Sequence, residues 1–192
     1  MKVDLDKVFE IDGSEKNTWT FLQDIPGVAS CMPGAEITEQ VDANNYKGKV
    51  RAKVGPATMS FEGDIEIQEI NEENKSLHFI GKGQDTKGTS AAEMDLTASV
   101  RKGESGATEL VGVATVTVTG KVANFGGRMM TQVADQILNQ FGKNFANNVV
   151  AMGEGESAEE AAKVVAEQPK ELNGLAFAWS IFVGYLKSLF GK

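Results

Sequence analysis

Residues 120–152 read GKVANFGGRMMTQVADQILNQFGKNFANNVVAM. Apolar side chains recur there at every fourth position: Phe125, Met129, Val133, Ile137, Phe141, Phe145 and Val149. This spacing predicts a long amphipathic α-helix, because residues four apart lie on one face of a helix. Roughly 30 residues at 1.5 Å per residue span about 45 Å, which is long enough to cross a whole sheet. The helix therefore needs an apolar surface of similar length to cover.

The preceding chain is predicted to supply that surface as an antiparallel sheet. Between about Glu36 and Thr119, clusters of turn-forming residues separate apolar runs, which predicts a meander of about six strands. Alternation places one set of apolar residues on a single face: Met59, Phe61, Ile65, Ile67, Met94, Leu96, Ala98, Val100, Leu110, Ala114, Val116 and Val118. The acidic Glu62, Asp64 and Glu66 fall on the opposite face, where solvation is the simplest interpretation.

The N-terminal segment adds a further strand and two short helices. Its odd positions carry a set that alternates with charged residues: Val3, Leu5, Lys7, Phe9 and Ile11. Ser14 is a predicted N-cap for the first helix, and residues 24–27 end that helix and begin the second. The sequence thus predicts an α+β fold in which a curved antiparallel sheet of about seven strands surrounds the long helix.

Composition excludes several classes of function. Lys and Arg number 19 against 27 Asp and Glu, which gives a net charge of -8 and makes nucleic acid an unfavourable partner. We expect no basic patch. One cysteine, Cys31, excludes an internal disulfide, and one histidine, His78, excludes a multi-histidine metal site. A reducing, intracellular compartment is expected, because residues 1–7 are charged and alternating, unlike a signal peptide.

The composition changes twice after Met152. Residues 153–171 are rich in Gly, Ala and Glu, which indicates a flexible acidic linker that is partly helical over 158–166. Residues 172–192 form a predicted apolar, amphipathic helix. Its apolar stretch, about 16 residues long, reaches only about 24 Å and falls short of the roughly 30 Å hydrocarbon core, so we expect it to lie in the membrane interface. Docking on the domain itself or within an oligomer stays open.

The side chains of this helix that are predicted to contact the membrane include aromatic residues suited to the headgroup level and a lysine that can meet anionic lipid. They are Phe177, Trp179, Phe182, Tyr185, Leu186, Lys187, Leu189 and Phe190.

Two motifs resemble those of one family. Val28-Ala29-Ser30-Cys31-Met32-Pro33-Gly34-Ala35 follows the second short helix, and Gly120-Lys121-Val122-Ala123-Asn124-Phe125-Gly126-Gly127-Arg128 opens the long one. Together they resemble the carbon monoxide dehydrogenase G-subunit family, which belongs to the START and Bet v 1-like group of helix-grip domains. The resemblance covers about residues 1–152. It implies a helix-grip fold and a non-catalytic accessory protein of a molybdenum hydroxylase, located at the cytoplasmic face of the membrane.

The resemblance further implies a bound lipophilic molecule, and we expect a respiratory quinone, menaquinone or ubiquinone, held without a covalent bond. A helix laid on a concave sheet can leave an apolar pocket between them. The predicted lining is Met32, Met59, Phe61, Met94, Leu96, Val116, Phe125, Met129 and Val133. Methionine thioethers suit deformable cavities, although ordinary core filling explains these methionines equally well.

Gly126 and Gly127 are unusual near the start of a helix, since each costs about 1 kcal/mol relative to alanine if helical. They indicate either a close approach by a ligand or by the Cys31 segment, or a helix that begins only after them.

Catalysis is the less favoured alternative. The Cys31 thiol would need a basic partner to act as a nucleophile, and we expect it not to meet His78. A polyketide cyclase-like enzyme of the same superfold would need polar residues in the pocket. A ligand-free scaffold that recruits the partner enzyme to the membrane is the third possibility. A cavity too small for an isoprenoid chain would favour that scaffold.

Overall fold

The computed structural model describes residues 1–54 and 57–167. The strands are β1 (Lys2–Ile11), β2 (Ala35–Gln40), β3 (Asn45–Val54), β4 (Ala57–Asn71), β5 (Ser76–Asp85), β6 (Ser90–Lys102) and β7 (Thr108–Gly120). The helices are α1 (Glu15–Leu22), α2 (Ile25–Cys31), a 3-10 helix (Lys121–Phe125), α3 (Gly127–Ala151) and α4 (Glu156–Ala166). The predicted order of strand, two short helices, six-strand meander and long helix is confirmed.

All seven strands form one antiparallel sheet in the order β1-β7-β6-β5-β4-β3-β2. Its register places predicted inward residues side by side. One row across the sheet runs Val3, Val116, Met94, Gly81 and Ile65. Because side chains alternate across a strand, a row of this kind shares one face, and the predicted apolar face is confirmed as the concave one.

Three paired glycines allow a close approach between neighbouring strands. Gly48 lies opposite Gly63, and Gly63 lies opposite Gly83. A Cβ on Gly63 would come within 2.6 Å of the Gly83 Cα, so a side chain at Gly63 would not fit. Glycine in a strand interior permits such an approach of two backbones.

Helix α3 is not seated evenly on the sheet. Phe145 and Val149 in its C-terminal half are fully buried, and the Phe145 ring lies 5.0 Å from the Phe21 ring. In contrast, the apolar residues from Met129 to Phe141 are only half-buried. The helix therefore closes the core with its C-terminal half, whereas its N-terminal half is less deeply buried.

The start of the long helix differs from the prediction. A 3-10 helix occupies residues 121–125, and α3 begins at Gly127. Gly126 has φ +79°, a conformation that favours glycine, whereas a Cβ on Gly126 or Gly127 would meet nothing within 4 Å. Backbone geometry at Gly126, rather than a close approach by another group, accounts for this position.

Both short helices have side-chain N-caps, and the predicted cap Ser14 is confirmed. The Ser14 side chain accepts a hydrogen bond from the backbone N–H of Asn17 at 3.0 Å, and the Asp24 side chain accepts one from Gly27 at 3.1 Å. The Trp19 indole N–H donates to Glu72 at 2.7 Å, which fixes α1 against the β4–β5 turn.

Within residues 153–171, the predicted partial helix is present as α4, but the interpretation of this part as a flexible linker is wrong. Helix α4 packs against α3, and its Ala158 and Ala161 are only 7% and 8% exposed. Small side chains allow two helices to approach closely, a contact that composition alone did not indicate.

Residues 168–192, which include all predicted membrane-contacting side chains from Phe177 to Phe190, lie outside the described residues. Within the described ranges, no helix has both the length and the hydropathy of a membrane span.

Candidate functional site

An apolar cavity of about 170 Å³ lies between the concave face of the sheet, the α1–α2 pair and α3. The sheet contributes Leu5, Lys7, Phe9, Ile65, Leu77, Phe79, Met94, Leu96, Ala98, Leu110, Val111, Gly112 and Ala114. The helices contribute Leu22, Ile25, Val28, Ala29, Met32, Leu138 and Phe141. Lys7 is the one charged side chain in this lining, so the cavity favours an apolar guest.

The structure brings three of the predicted lining residues to this cavity: Met32, Met94 and Leu96. The remaining predicted residues lie elsewhere: Met59, Phe61, Val116, Phe125, Met129 and Val133. Their contact with a ligand stays a prediction.

Position along the elements separates these six residues from the cavity wall. Met59 and Phe61 lie on the concave face toward the start of β4, on the other side of Gly63 from Ile65, and Val116 pairs with Met94 from β7. Met129 and Val133 belong to the half-buried N-terminal part of α3, and Phe125 belongs to the 3-10 helix. All six are half-buried.

Sequence reasoning predicted Met32, the residue that follows α2, but missed the contribution of α2 itself to the wall. Ile25, Val28 and Ala29 of α2 and the following Met32 are spaced i, i+3, i+4 and i+7, which is the apolar face of a helix. That spacing was present in the sequence. To use it, one would have to treat a very short helix as part of the cavity wall and not only as a connection between β1 and β2.

Lys7 forms an ion pair at the cavity wall. Its Nζ lies 2.7 Å from Asp135 Oδ1 on α3, and the two side chains are 35% and 44% exposed. The pair links β1 to the less deeply buried N-terminal half of α3. Half-exposed pairs of this kind stabilise a fold by less than about 1 kcal/mol, but the ammonium group supplies a hydrogen-bond donor in an otherwise apolar wall.

Cys31 is part of the packing between α2 and α3. Its side chain is fully buried, its Sγ accepts a hydrogen bond from the Asn148 side chain at 3.4 Å, and its backbone carbonyl accepts one from the Asn144 side chain at 2.9 Å. Burial raises the pKa of the thiol to about 12. The thiol is therefore protonated at neutral pH, and it does not line the cavity.

His78 lies on the outer face of β5, since its neighbours Leu77 and Phe79 both line the cavity. Its Nε2 is 2.9 Å from Asp95 Oδ1. The expectation that Cys31 and His78 do not meet is confirmed. The acidic Glu62, Asp64 and Glu66 are exposed on the same outer face, as the alternation predicted.

The cavity is suited to binding an apolar molecule that transfers from water to the apolar wall. Apolar surface that leaves water contributes about 25 cal/mol per Å², and a wall of aliphatic and aromatic groups provides that environment. Apart from Lys7, the cavity wall carries no side chain able to act as an acid, a base or a nucleophile.

Comparisons with known proteins agree with this architecture. Residues 8–150 match the sequence model of the family described as the G subunit of carbon monoxide dehydrogenase (CoxG). No curated protein matches the chain.

Several solved structures share the fold at low sequence identity. A conserved protein from Geobacillus kaustophilus is 19% identical with a TM-score of 0.66, over 78% of this chain and 95% of that one. A START superfamily protein from Mycobacterium smegmatis is 14% identical with a TM-score of 0.56, over 78% and 99%. The ZhuI aromatase/cyclase from Streptomyces sp. R1128 is 13% identical with a TM-score of 0.56, over 81% and 100%. The fold is START/Bet v 1-like. Because the family match runs from β1 almost to the end of α3, the chain belongs to the CoxG family of carbon monoxide dehydrogenase.

Proposed function

We propose that this protein is a non-catalytic accessory subunit of a molybdenum hydroxylase of the carbon monoxide dehydrogenase type. In this role it binds a lipophilic ligand in its apolar cavity and links the enzyme to the membrane. The observation that carries the proposal is a cavity wall with a single charged side chain, in a chain that belongs to the CoxG family.

A respiratory quinone is the ligand we favour, and the size of the cavity determines how it would fit. A cavity of about 150 Å³ accommodates benzene, so the volume of about 170 Å³ found here suits one ring or a short branched segment. The rest of an isoprenoid chain would lie against half-buried apolar side chains that include Phe61, Val116 and Met129. The Lys7 ammonium group can donate a hydrogen bond to a ring carbonyl.

The link to the membrane is proposed for residues 172–192. Their apolar and aromatic composition supports insertion at the interface, where Trp179 and Tyr185 suit the headgroup level. Deletion of residues 172–192 is expected to move the protein from the membrane pellet to the supernatant. An unchanged distribution would rule out this segment as the anchor.

Extraction of the protein from native membranes tests the ligand. We would purify the full-length chain, extract it with organic solvent and quantify lipids by mass spectrometry. The test variant is Ala98→Leu with Ala114→Leu, because both alanines point into the cavity from adjacent strands. The control is Thr97→Leu with Thr117→Leu, which adds apolar volume to the outer face of the same strands.

A near-stoichiometric quinone in the parent and the control, with loss in the filled variant, would support the proposal. Circular dichroism of all three proteins establishes that the filled variant is folded. A quinone retained in the filled variant would place the ligand elsewhere.

The small closed volume favours one second candidate, a scaffold that recruits the partner enzyme to the membrane without a ligand. The same extraction separates the two. An absence of lipid from every sample, together with membrane recovery of the partner enzyme that depends on this protein, would favour the scaffold.

A further inference from the structure

Four segments of the chain meet at the end of the domain where α3 begins. Their described residues are 32–35, 50–54 with 57–61, 85–90 and 119–130, and we call this end the rim. Backbone hydrogen bonds join neighbouring segments, from Arg51 to Gly34 at 2.8 Å, from Thr86 to Ser60 at 2.9 Å and from Lys121 to Thr89 at 3.1 Å. The rim is therefore one continuous surface, although its segments are far apart in the sequence.

The rim carries positive charge in a chain whose net charge is -8. Its exposed cations are Arg51, Lys53, Lys87, Lys121 and Arg128. Within these ranges the acidic residue is Asp85, which is 6% exposed and accepts a hydrogen bond from the Thr89 hydroxyl at 2.9 Å. The exposed Glu36 and Glu62 lie directly beside the rim, and Glu36 pairs with Lys49 at 3.0 Å, so the rim cations outnumber the adjacent carboxylates. The expectation of no basic patch is wrong, because folding collects cations that no single stretch of sequence contains.

At the other end of the domain, exposed carboxylates outnumber the exposed cations, which include Lys16, Lys102 and Lys163. These carboxylates lie on the end of β1, the β4–β5 and β6–β7 turns and the region of α4: Glu10, Asp12, Glu72, Glu73, Glu104, Glu154, Glu156, Glu159 and Glu160. Charge separated in this way orients a molecule in an electric field. A negatively charged surface attracts the rim and repels the opposite end.

The rim also carries apolar side chains. Met59, Phe125, Met129 and Met130 are half-buried within it. Val116 pairs with the cavity residue Met94, and Phe61 shares a strand face with the cavity residue Ile65, so apolar side chains continue from the cavity wall toward the rim. Cations around apolar side chains match the chemistry of an anionic lipid bilayer, which has charged headgroups above hydrocarbon.

We propose that the rim docks on an anionic bilayer and presents its half-buried apolar side chains to the lipid. This contact is separate from the one proposed for residues 172–192. The choice of a bilayer rather than an acidic protein rests on the proposed function, since a lipophilic ligand needs a route that avoids water.

Vesicle binding by the full chain tests this docking. The rim variant carries Lys53→Gln, Lys87→Gln, Lys121→Gln and Arg128→Gln, four side chains for which the described residues provide no ion-pair partner. The control carries Lys16→Gln, Lys102→Gln, Lys143→Gln and Lys163→Gln, which are exposed cations outside the rim. Both variants lose the same charge, so any difference between them reflects position.

Cosedimentation is measured with vesicles of phosphatidylcholine that contain phosphatidylglycerol, and with vesicles of phosphatidylcholine alone. Each Lys or Arg near an anionic surface raises the partition coefficient about fivefold. We expect the rim variant to bind anionic vesicles at least about tenfold more weakly than the parent and the control do. The difference should shrink as added salt shortens the Debye length.

Equal binding by the parent, the rim variant and the control would overturn the proposal, as would an equal loss in both variants. Failure of the parent to prefer anionic vesicles would also overturn it. A rim variant that binds vesicles normally but no longer binds the partner enzyme would assign the rim to an acidic protein instead. The quinone content of membrane extracts tests the proposed function separately, so the two can fail independently.

Discussion

Asn144 fastens the α2 wall of the cavity to α3, and its replacement by leucine should destabilise the fold measurably. The side chain is 6% exposed, donates to the Cys31 carbonyl at 2.9 Å and accepts from the Gln140 side chain at 2.9 Å. Leucine has a similar size but can make neither bond. Gln140 is half-buried, so its side chain can hydrogen-bond to water instead. The Cys31 carbonyl belongs to a fully buried residue and would lose its hydrogen-bond donor.

The expected loss of stability follows from the Cys31 carbonyl, which no longer has a hydrogen-bond donor in the variant. A buried acceptor left without a partner costs about 1–3 kcal/mol. Leucine also has a higher helix propensity than asparagine, which partly offsets this cost and must be controlled. Asn147→Leu is the matched control, because Asn147 lies on the same helix, is half-buried and makes no side-chain hydrogen bond within the described residues.

We expect Asn144→Leu to be less stable than Asn147→Leu by about 2 kcal/mol, measured by urea denaturation followed by circular dichroism. For a chain of this length each kcal/mol corresponds to about 2–4 °C in Tm. Equal stability of the two variants, within about 0.5 kcal/mol, would refute the assignment of Asn144 as the fastening group.

Three further predictions concern the cavity wall, the buried thiol and α4. A double-mutant cycle of Lys7→Met and Asp135→Asn should give a coupling below about 1 kcal/mol, because the pair is half-exposed; a value above about 2 kcal/mol would contradict this. Burial raises the pKa of Cys31 from 9.0 to about 12, so its stabilisation is present below pH 9 and is lost as the pH rises toward 12. A thiol reagent at about pH 8, below both pKa values, should therefore label Cys31 only after denaturation. Rapid labelling of the native protein would contradict the burial of this thiol. Ala161→Glu should release α4 and speed tryptic cleavage within it, whereas the exposed Ala162→Glu should not; equal cleavage would mean that α4 does not depend on its contact with α3.

Periodicity explains why so much of the fold could be predicted. Alternation in β6 and β7 assigned Met94, Leu96 and Ala114 to one face, and the fourfold spacing of Phe141, Phe145 and Val149 indicated the helix that covers them. Both patterns are local, because each depends only on the geometry of one element.

Lys7 shows a signal that the sequence contained and the prediction did not use. It occupies the same odd-numbered face of β1 as Leu5 and Phe9, and the structure places all three in the cavity wall. A charged residue at a strand position whose side chain points to the core indicates either a polar contact inside the fold or an ion pair with the covering helix. The structure shows the pair with Asp135.

The order of the elements, the apolar faces of β1, β4, β6 and β7, and the family could all be predicted from the residues before any coordinates. The depth of each inward residue could not be predicted, because it depends on the packing of distant segments. Phe61 and Leu96 share a face, yet Leu96 lines the cavity and Phe61 does not. The rim likewise exists only after folding, since Lys53, Lys87 and Arg128 belong to segments that only the folded sheet brings to one end. Periodicity gives the direction of a side chain, whereas its depth and the surface charge around it arise from tertiary contacts.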